Sequence, residues 1–456
     1  MKTATWKNIS LEMPVGLALI EDITITEEMG EHGRATIRGL LEAGEEKNVI
    51  EKFTMDTRMK IMQDGKVLFC GLPANVSVEQ EGASYELFVE LISSSVLLDI
   101  EKQSKSYQDK SNTYQNIFKE LVGKVNGECL DLASKGAAQK GPYIRYQETS
   151  WEFIKRMASY VGAKICAVCD EPKPKIVVGI QKGKSHTEEC YEYKIQKDMK
   201  EILTKRNQVS GVKEKSFPCY QVESQVFYHL GDMVTYQGNS YIVYRRKSAM
   251  QKEELIHTYE FRQEAAIVQE PLYQEELSGV SIIGTIQAIE GDKLKLHLSI
   301  DEGQERGKAY PYSFTSSYTA NGSTGWFAMP EIGQSVELFI PGKDETKAYI
   351  TKVSRTDGAD NSKTRDPSTK YFGTAEGKEM VLSPSDITFT AKEGETYLTL
   401  SGSGGVTVQT SKDISLKTDQ GMEFFCESFE ATSKDKIILA TQNTSIIVDD
   451  VMHIKG

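Results

Sequence analysis

Short alternating strands recur through the last ninety or so residues at a nearly fixed step. Ile387-Thr388-Phe389, Leu398-Thr399-Leu400, Val406-Thr407-Val408, Ile414-Ser415-Leu416 and Met422-Glu423-Phe424 begin at positions 387, 398, 406, 414 and 422, one spacing of eleven followed by three of eight. Ile437-Ile438-Leu439 and Ile446-Ile447-Val448 continue the pattern less strictly. Each unit sets a few apolar residues on one face of a period-two strand and ends in polar residues or Gly that turn. Such a unit cannot bury its apolar face alone, so similar units must stack. A single-chain β-helix closes a larger coil. An eight-residue step suits several chains wound together, with Val406, Val408, Ile414, Leu416, Met422 and Phe424 as candidates for the shared core.

The rest of the chain is bounded by simpler arguments. At 456 residues it exceeds one core, and about three domains are expected. No apolar run approaches the ~20 residues of a membrane-spanning helix. Met1-Lys2-Thr3-Ala4-Thr5-Trp6-Lys7 lacks the apolar centre of a secretory signal, so assembly in the cytoplasm is expected. The seven cysteines (Cys70, Cys129, Cys166, Cys169, Cys190, Cys219, Cys426) are an odd number and suggest free thiols in a reducing compartment. A net charge of −12, or −36 for three chains at −12 each, argues against a protein that grips nucleic-acid backbone.

Residues 1 to about 100 read as β-rich, with segments such as Leu17–Ile20, Ile23–Thr26, Ala35–Arg38 and Tyr85–Val89. Gln63-Asp64-Gly65-Lys66 predicts a tight hairpin, because Asp-Gly supplies the positive φ angles that a primed turn needs. Two amphipathic helices follow. One starts near Ser111 or Thr113 and carries Tyr114, Ile117, Phe118, Leu121 and Val125; the other follows Thr149, which forms a capping box with Glu152 and precedes Trp151, Ile154, Met157, Ala158 and Val161 on one face. Strands return over 163–275, including Lys175–Val178 and Tyr241–Tyr244 beside a Gly238-Asn239 turn. Five candidate strands (Val280–Ile286, Lys293–Ile300, Ala309–Tyr312, Ser335–Ile340, Ala348–Val353) fit a small partly open barrel such as an OB-fold. The stretch 356–363, with Asp357-Gly358 and Asn361-Ser362, reads as a linker.

Three local patterns carry a resemblance. Tyr146-Gln147-Glu148-Thr149 leading into Phe153, Arg156 and Gly162 is one. Trp326 followed by Pro330-Glu331-Ile332-Gly333-Gln334-Ser335-Val336 is the second, and Gly231-Asp232-Met233-Val234 ahead of Tyr241-Ile242-Val243 the third. Together they resemble the hub and spike proteins of contractile injection systems: the VgrG family of type VI secretion, spikes of extracellular injection particles, and contractile-phage tail hubs and needles. The resemblance implies a mainly β fold with a few helices. It comprises a β-barrel hub over 1–275 with two tube-like barrels and inserted α+β segments, an OB-fold adaptor over 278–355, and a linker with an intertwined trimeric β-helix needle over 356–456. It further implies a homotrimer that adapts a six-fold tube to a three-fold needle and pierces a target envelope. Its partners would be an inner tube protein, baseplate proteins, a tip protein of the Pro-Ala-Ala-Arg (PAAR) repeat class and effectors, with no nucleic acid and membrane contact only during injection. Two departures stand out. After the Ser335–Ile340 strand the family commonly has Gly-Asp-Pro, where this chain has Pro341-Gly342-Lys343-Asp344-Glu345; this reads as a simple turn substitution. The His-x-His metal tip of some phage needles is missing, since His453 stands between Met452 and Ile454, and no effector domain is expected after Gly456.

Other readings are weighed residue by residue. Cys166-Ala167-Val168-Cys169, with Cys190, Cys219 and His186, invites tetrahedral zinc. The spacings match no standard pair of couples, and residues three apart on a strand face opposite ways, so buried structural thiols are the better account. Gly402-Ser403-Gly404-Gly405 has no helix to follow and reads as a turn rather than a phosphate loop. Trp326, Phe327, Tyr310 and Tyr312 would offer a stacking platform on the OB module, but no basic stripe accompanies them. Lys102, Lys105 and Lys110 alternate with Glu101 and Asp109 and read as a solvated face. The six histidines (His32, His186, His229, His257, His297, His453) are scattered, so no catalytic, cofactor-binding or metal site is expected. A spike that hydrolyses envelope polymer, through two carboxylates flanking a sugar, and a β-helical adhesin are the competing classes.

Overall fold

Period-two burial organises the first sheet. Along Arg34–Leu41 every second residue (Ala35, Ile37, Gly39, Leu41) is buried, and Leu87, Val89 and Leu91 repeat the pattern in Ser84–Ser93. The structure is a computed structural model that describes residues 4–47, 49–209, 213–315, 318–319, 325–326, 328–354, 363, 366–449 and 452–455, with backbone alone at 318–319, 325–326 and 452–455. The chain divides into two units, residues 1–356 and 357–456.

Twelve strands of the first unit form one sheet. Ile9–Glu12, Met59–Gln63, Lys66–Glu81, Ser84–Ser93, Arg34–Leu41 and Leu17–Glu28 lie side by side in that order, and Asn239–Gln251, Glu254–Arg262, Cys219–Ser224 and Tyr193–Gln196 continue it. Met233–Tyr236 and Ser185–Glu188 branch from Asn239–Gln251. The expected hairpin at Asp64-Gly65 is present, with φ of 51° and 78°. The second hairpin turns on Gln237-Gly238, one residue earlier than expected, with φ of 48° and 73°.

An antiparallel bridge from Thr5 to Glu254, with Leu255 N donating to Ala4 O at 2.9 Å, ties the first edge of the sheet back to Glu254–Arg262, and the two tube-like barrels expected for this region are joined as one continuous sheet. The 13-residue strand Asn239–Gln251 is the reason. Residues 239–242 pair with Met233–Tyr236 in their own half, whereas 245–249 pair with 24–28 of the other half. A strand shared in this way merges two half-sheets into one.

Both expected helices are present and capped as read. Thr113 accepts from Asn116 N at 3.2 Å ahead of Tyr114–Gly123, and Thr149 and Glu152 make the reciprocal capping box of Ser150–Ser159. Their apolar faces pack into the first sheet's core beside Ile37, Leu68 and Val89. A further helix, Met199–Gln208, lies where only strands were expected. It buries just Ile202 and Lys205, so hydrophobic periodicity gave it no voice. Its legible signal was the cap: Asp198 Oδ1 accepts from Lys200 N and Glu201 N at 2.8 and 3.0 Å.

All five strands expected between 278 and 355 are present, as Ser281–Glu290, Lys293–Leu298, Pro311–Ser313, Ser335–Phe339 and Tyr349–Ser354. The sheet order places Pro311–Ser313 and Tyr349–Ser354 at opposite edges. A parallel bridge from Phe314 to Ile350 brings those edges together, reinforced by Thr315 N and Oγ1, each 2.9 Å from Ile350 O. This is the partly open five-stranded barrel that the sequence suggested, closed around Ile282, Leu296, Tyr312, Val336 and Leu338.

The second unit is built from antiparallel meanders. Lys370–Gly373, Glu379–Leu382, Asp386–Lys392, Thr396–Ser401 and Gly405–Gln409 pair in sequence order, and Ile437–Ala440, Ser445–Val448 and Met452–Lys455 form a second, three-stranded sheet. The expected strands at 387–389, 398–400, 406–408, 437–439 and 446–448 therefore exist. Those at Ile414–Leu416 and Met422–Phe424 do not: residues 410–436 contain no strand and make no ladder within the chain. The physical reason is that a strand is defined by its pairing partner, and this stretch has none in its own chain.

Candidate assembly site

Two hydrophobic cores of the first unit share one strand. In Tyr143–Glu148, Tyr143 enters the core of the first sheet, whereas the next residue, Ile144, enters the core of the five-stranded barrel beside Leu277 and Ile282. Period two thus lets a single strand serve two cores. Polar contacts flank it: Asp301 accepts from Ser106 N and Oγ at 2.7 and 2.5 Å, Gln108 Oε1 accepts from Tyr310 N at 3.1 Å, and Gln274 Nε2 donates to Tyr146 O at 3.0 Å.

Arg156 lies at the centre of this joint, 2% exposed. Its Nε and Nη2 form a fork on Glu148, at 2.9 Å to Oε1 and 2.7 Å to Oε2. Nη2 also donates to Ile144 O at 2.8 Å, and Nη1 donates to Tyr160 OH at 3.2 Å and to Glu345 Oε1. All five guanidinium donors are satisfied, and the Phe153 ring lies under the carbon at 5.0 Å. Burial opposes the charge on Arg156, but Glu345 and Glu148 outweigh it and hold the guanidinium protonated. Burial pushes the Glu345 carboxyl above its ordinary range, with Arg156 opposing. The turn that read as a neutral substitution therefore supplies a buried carboxylate, which sequence reasoning missed because its partner lies 189 residues away.

The second unit presents a different kind of surface. No described residue of 366–449 is buried. Val406, Val408, Ile414, Leu416, Met422 and Phe424 are 47–70% exposed, and Phe425 and Phe429 extend the apolar row. Isolated exposed apolar residues need no explanation; a run without any core under it does. Residues 410–436 form no ladder within the chain, so their backbone is open to pairing with an incoming strand.

The competing sites take structural places. Cys166 and Cys169 are buried beside a cavity of about 410 Å³ that Glu27, Arg246, His229 and Asp232 also line. Burial pushes the Cys166 thiol up to about 12. Cys190 and Cys219 lie away from them, against Tyr236 and Glu260, while His186 Nε2 is 3.1 Å from Asp232 Oδ2. Among the described residues no group of three or more His, Cys, Asp or Glu is placed to hold a metal ion. His32 stands between Ser95 Oγ at 2.7 Å and Asp99 Oδ2 at 3.3 Å, an arrangement that resembles a hydrolytic relay. Ser95 is 1% exposed and shares its hydroxyl with Ser93, so no substrate carbonyl reaches it.

The OB aromatic platform is not open either. Tyr312 is fully buried, and Lys110 covers the Tyr310 ring at 4.6 Å. Trp326 pairs through its backbone with Tyr318, while its side chain and Phe327 lie outside the described residues, as does the side chain of His453. Pro330 is buried, Glu331 and Gly333 form an exposed turn with Gly333 at φ 91°, and Val336 lies in the core. Lys105 pairs with Glu120 at 2.6 Å, and Lys102 faces solvent. Gly402–Gly405 is the turn expected, with Gly405 at φ 77° between two strands.

No family model matches the chain, and no curated protein matches it in sequence. Solved structures do. An Escherichia coli protein, c3393, described as a component of the type VI secretion system with structural similarity to the T4 tail proteins gp27 and gp5, matches with a TM-score of 0.55 at 12% identity, over 76% of this chain and 100% of that one. The chain has the fold of contractile-system hub and spike proteins. A Francisella PdpA–VgrG complex matches with a TM-score of 0.55 at 9% identity, over 89% of this chain and 87% of its own. The lidless form of a PdpA–VgrG complex matches at 0.53 and 10% identity, over 86% and 93%.

Proposed function

We propose that the chain is the homotrimeric hub and spike at the tip of a contractile injection machine and acts mechanically rather than as an enzyme. Residues 1–275 form the hub, 278–355 the adaptor and 356–456 the needle. The observation that carries this reading is the pairing of a VgrG-like fold with a C-terminal unit in which no described residue is buried. Three copies winding together would bury the row from Val406 to Phe424 and satisfy the backbone of 410–436. Two six-stranded halves per chain, taken three times, supply six similar units around a three-fold axis, which supports the match to a six-fold tube. Tube, baseplate, a PAAR-type tip protein and effectors are the partners this reading assigns. Free cysteines at Cys70, Cys166 and Cys169, all buried, support assembly in a reducing cytoplasm.

Light scattering on the full-length chain tests the reading. A mass near 153 kDa, three times 51.0 kDa, is expected, with loss of the trimer in a truncation ending near residue 356. A well-folded monomer overturns it. Clearing of purified envelope polymer in a zymogram overturns the non-enzymatic part, and binding of intact cells by the C-terminal unit favours an adhesin.

A further inference from the structure

We infer that Arg156, Glu148 and Glu345 form a latch that makes hub and adaptor one mechanical body, so that thrust reaching the hub passes to the spike without a hinge. This deepens the spike reading and rests on it for the role of the joint.

The geometry supports a latch rather than an incidental buried pair. Glu148 ends the shared strand and forks onto Arg156, which fixes the direction of the guanidinium before the adaptor contributes anything. The Thr149 cap holds the start of the helix that carries Arg156. On the adaptor side, Asp344 stabilises the turn of Glu345–Lys347 by accepting from Thr346 N at 3.1 Å and Thr346 Oγ1 at 2.6 Å. Capping of the turn thus falls to Asp344, and the Glu345 carboxylate, which also meets its own backbone N–H, reaches across to the hub side. Its Oε1 goes to Arg156, and its Oε2 has no partner. A carboxylate that is 1% exposed and whose ion pair is made to the other module is placed to couple the two.

Sliding the adaptor away would cost Arg156 Nη1 its carboxylate acceptor, leaving it Tyr160 OH and water, and it would expose Ile144. The exposed Lys343–Glu275 bridge nearby, at 2.9 Å, cannot do this, because solvent replaces it at little cost. Charge counting refines the argument. Glu148 already neutralises Arg156, so the adaptor contributes an acceptor oxygen rather than a needed negative charge. Glu345→Gln retains that oxygen, and Glu345→Ala removes it.

The test is hydrogen exchange of the full-length chain in rising denaturant, reading hub strand Ser84–Ser93 against adaptor strand Lys293–Leu298 by mass spectrometry. Wild type and Glu345→Gln are expected to open both strands at one midpoint. In Glu345→Ala the adaptor strand is expected to exchange about tenfold faster while the hub strand stays unchanged. Equal acceleration of both strands, no acceleration of either, or separate midpoints in wild type would each overturn the latch. Light scattering on the same samples keeps the two ideas apart: a trimer with unsplit exchange in Glu345→Ala removes the latch alone, and a wild-type monomer with split exchange in Glu345→Ala removes the spike reading but not the coupling.

Discussion

Arg246 Nη2 lies 2.7 Å from Glu27 Oε1, directly across the antiparallel pairing through which the two halves of the twelve-stranded sheet become one. The next pair in register, Arg245 and Glu28, repeats the charge match on the solvent side at 3.6 Å. Phe227 stacks beneath Arg246 at 4.0 Å, and Tyr228 O accepts from Nη1 at 3.1 Å. Two strands 219 residues apart are thus brought into one register by a buried pair that a one-residue slip would break.

Arg246→Met is therefore expected to destabilise the first unit by about 3–5 kcal/mol, because it leaves the buried Glu27 carboxylate without its cation. The double variant Glu27→Met with Arg246→Met should recover most of that loss. Urea denaturation of the two variants checks it, and equal losses in both would sink the seam argument.

His257 gives the first unit a pH dependence of predictable sign. It is fully buried, its Nδ1 lies 2.7 Å from Ser248 Oγ, and Nε2 has no partner. Burial, then repulsion from Arg246 and Lys66, lowers its pKa to about 3. In the unfolded chain it titrates near ~6.5. Between those values the unfolded state binds a proton that the folded state refuses, so stability falls as pH drops below ~6.5 and stops falling near the folded value. Relative to His257→Gln, wild type should lose about 1.4 kcal/mol per pH unit between pH 6 and pH 4. Parallel pH profiles of the two proteins would contradict this.

Leu416→Asp or Phe424→Asp should break the assembly without unfolding the first unit. Each places a carboxylate in the row that neighbouring chains are expected to cover, at a cost per chain of about 2–3 kcal/mol that three chains share. Sedimentation should show mass falling toward one chain while circular dichroism retains the signal of the hub. An unchanged trimer mass in both variants would remove this row from the interface.

Gly333 occupies φ 91° with nothing within 4 Å of an added Cβ. Gly333→Ala is thus a test of backbone strain alone, expected to cost about 1 kcal/mol. The turn is also tied to Ile286 O by Gly333 N at 2.8 Å, so the loss should appear in the adaptor. Thermal denaturation that reports no shift would mean that the turn relaxes freely.

Much of this protein is written locally. The Thr149–Glu152 capping box, the Asp64-Gly65 hairpin and the five strands between 278 and 355 were legible because neighbours in sequence create those signals themselves, whereas the eight-residue step predicted strands at 414–416 and 422–424 that the chain does not pair. The Met199–Gln208 helix escaped because tertiary support, through Ile202 and Lys205, replaces an amphipathic face. Tertiary structure alone decided that one strand, Asn239–Gln251, would divide its pairing and join two half-sheets into one continuous sheet. It alone decided that Glu345 in an unremarked turn would meet Arg156, and that Arg246 would meet Glu27. Spacing constrains what a segment can become, whereas the pairing of buried charges depends on which distant segments exclude water together.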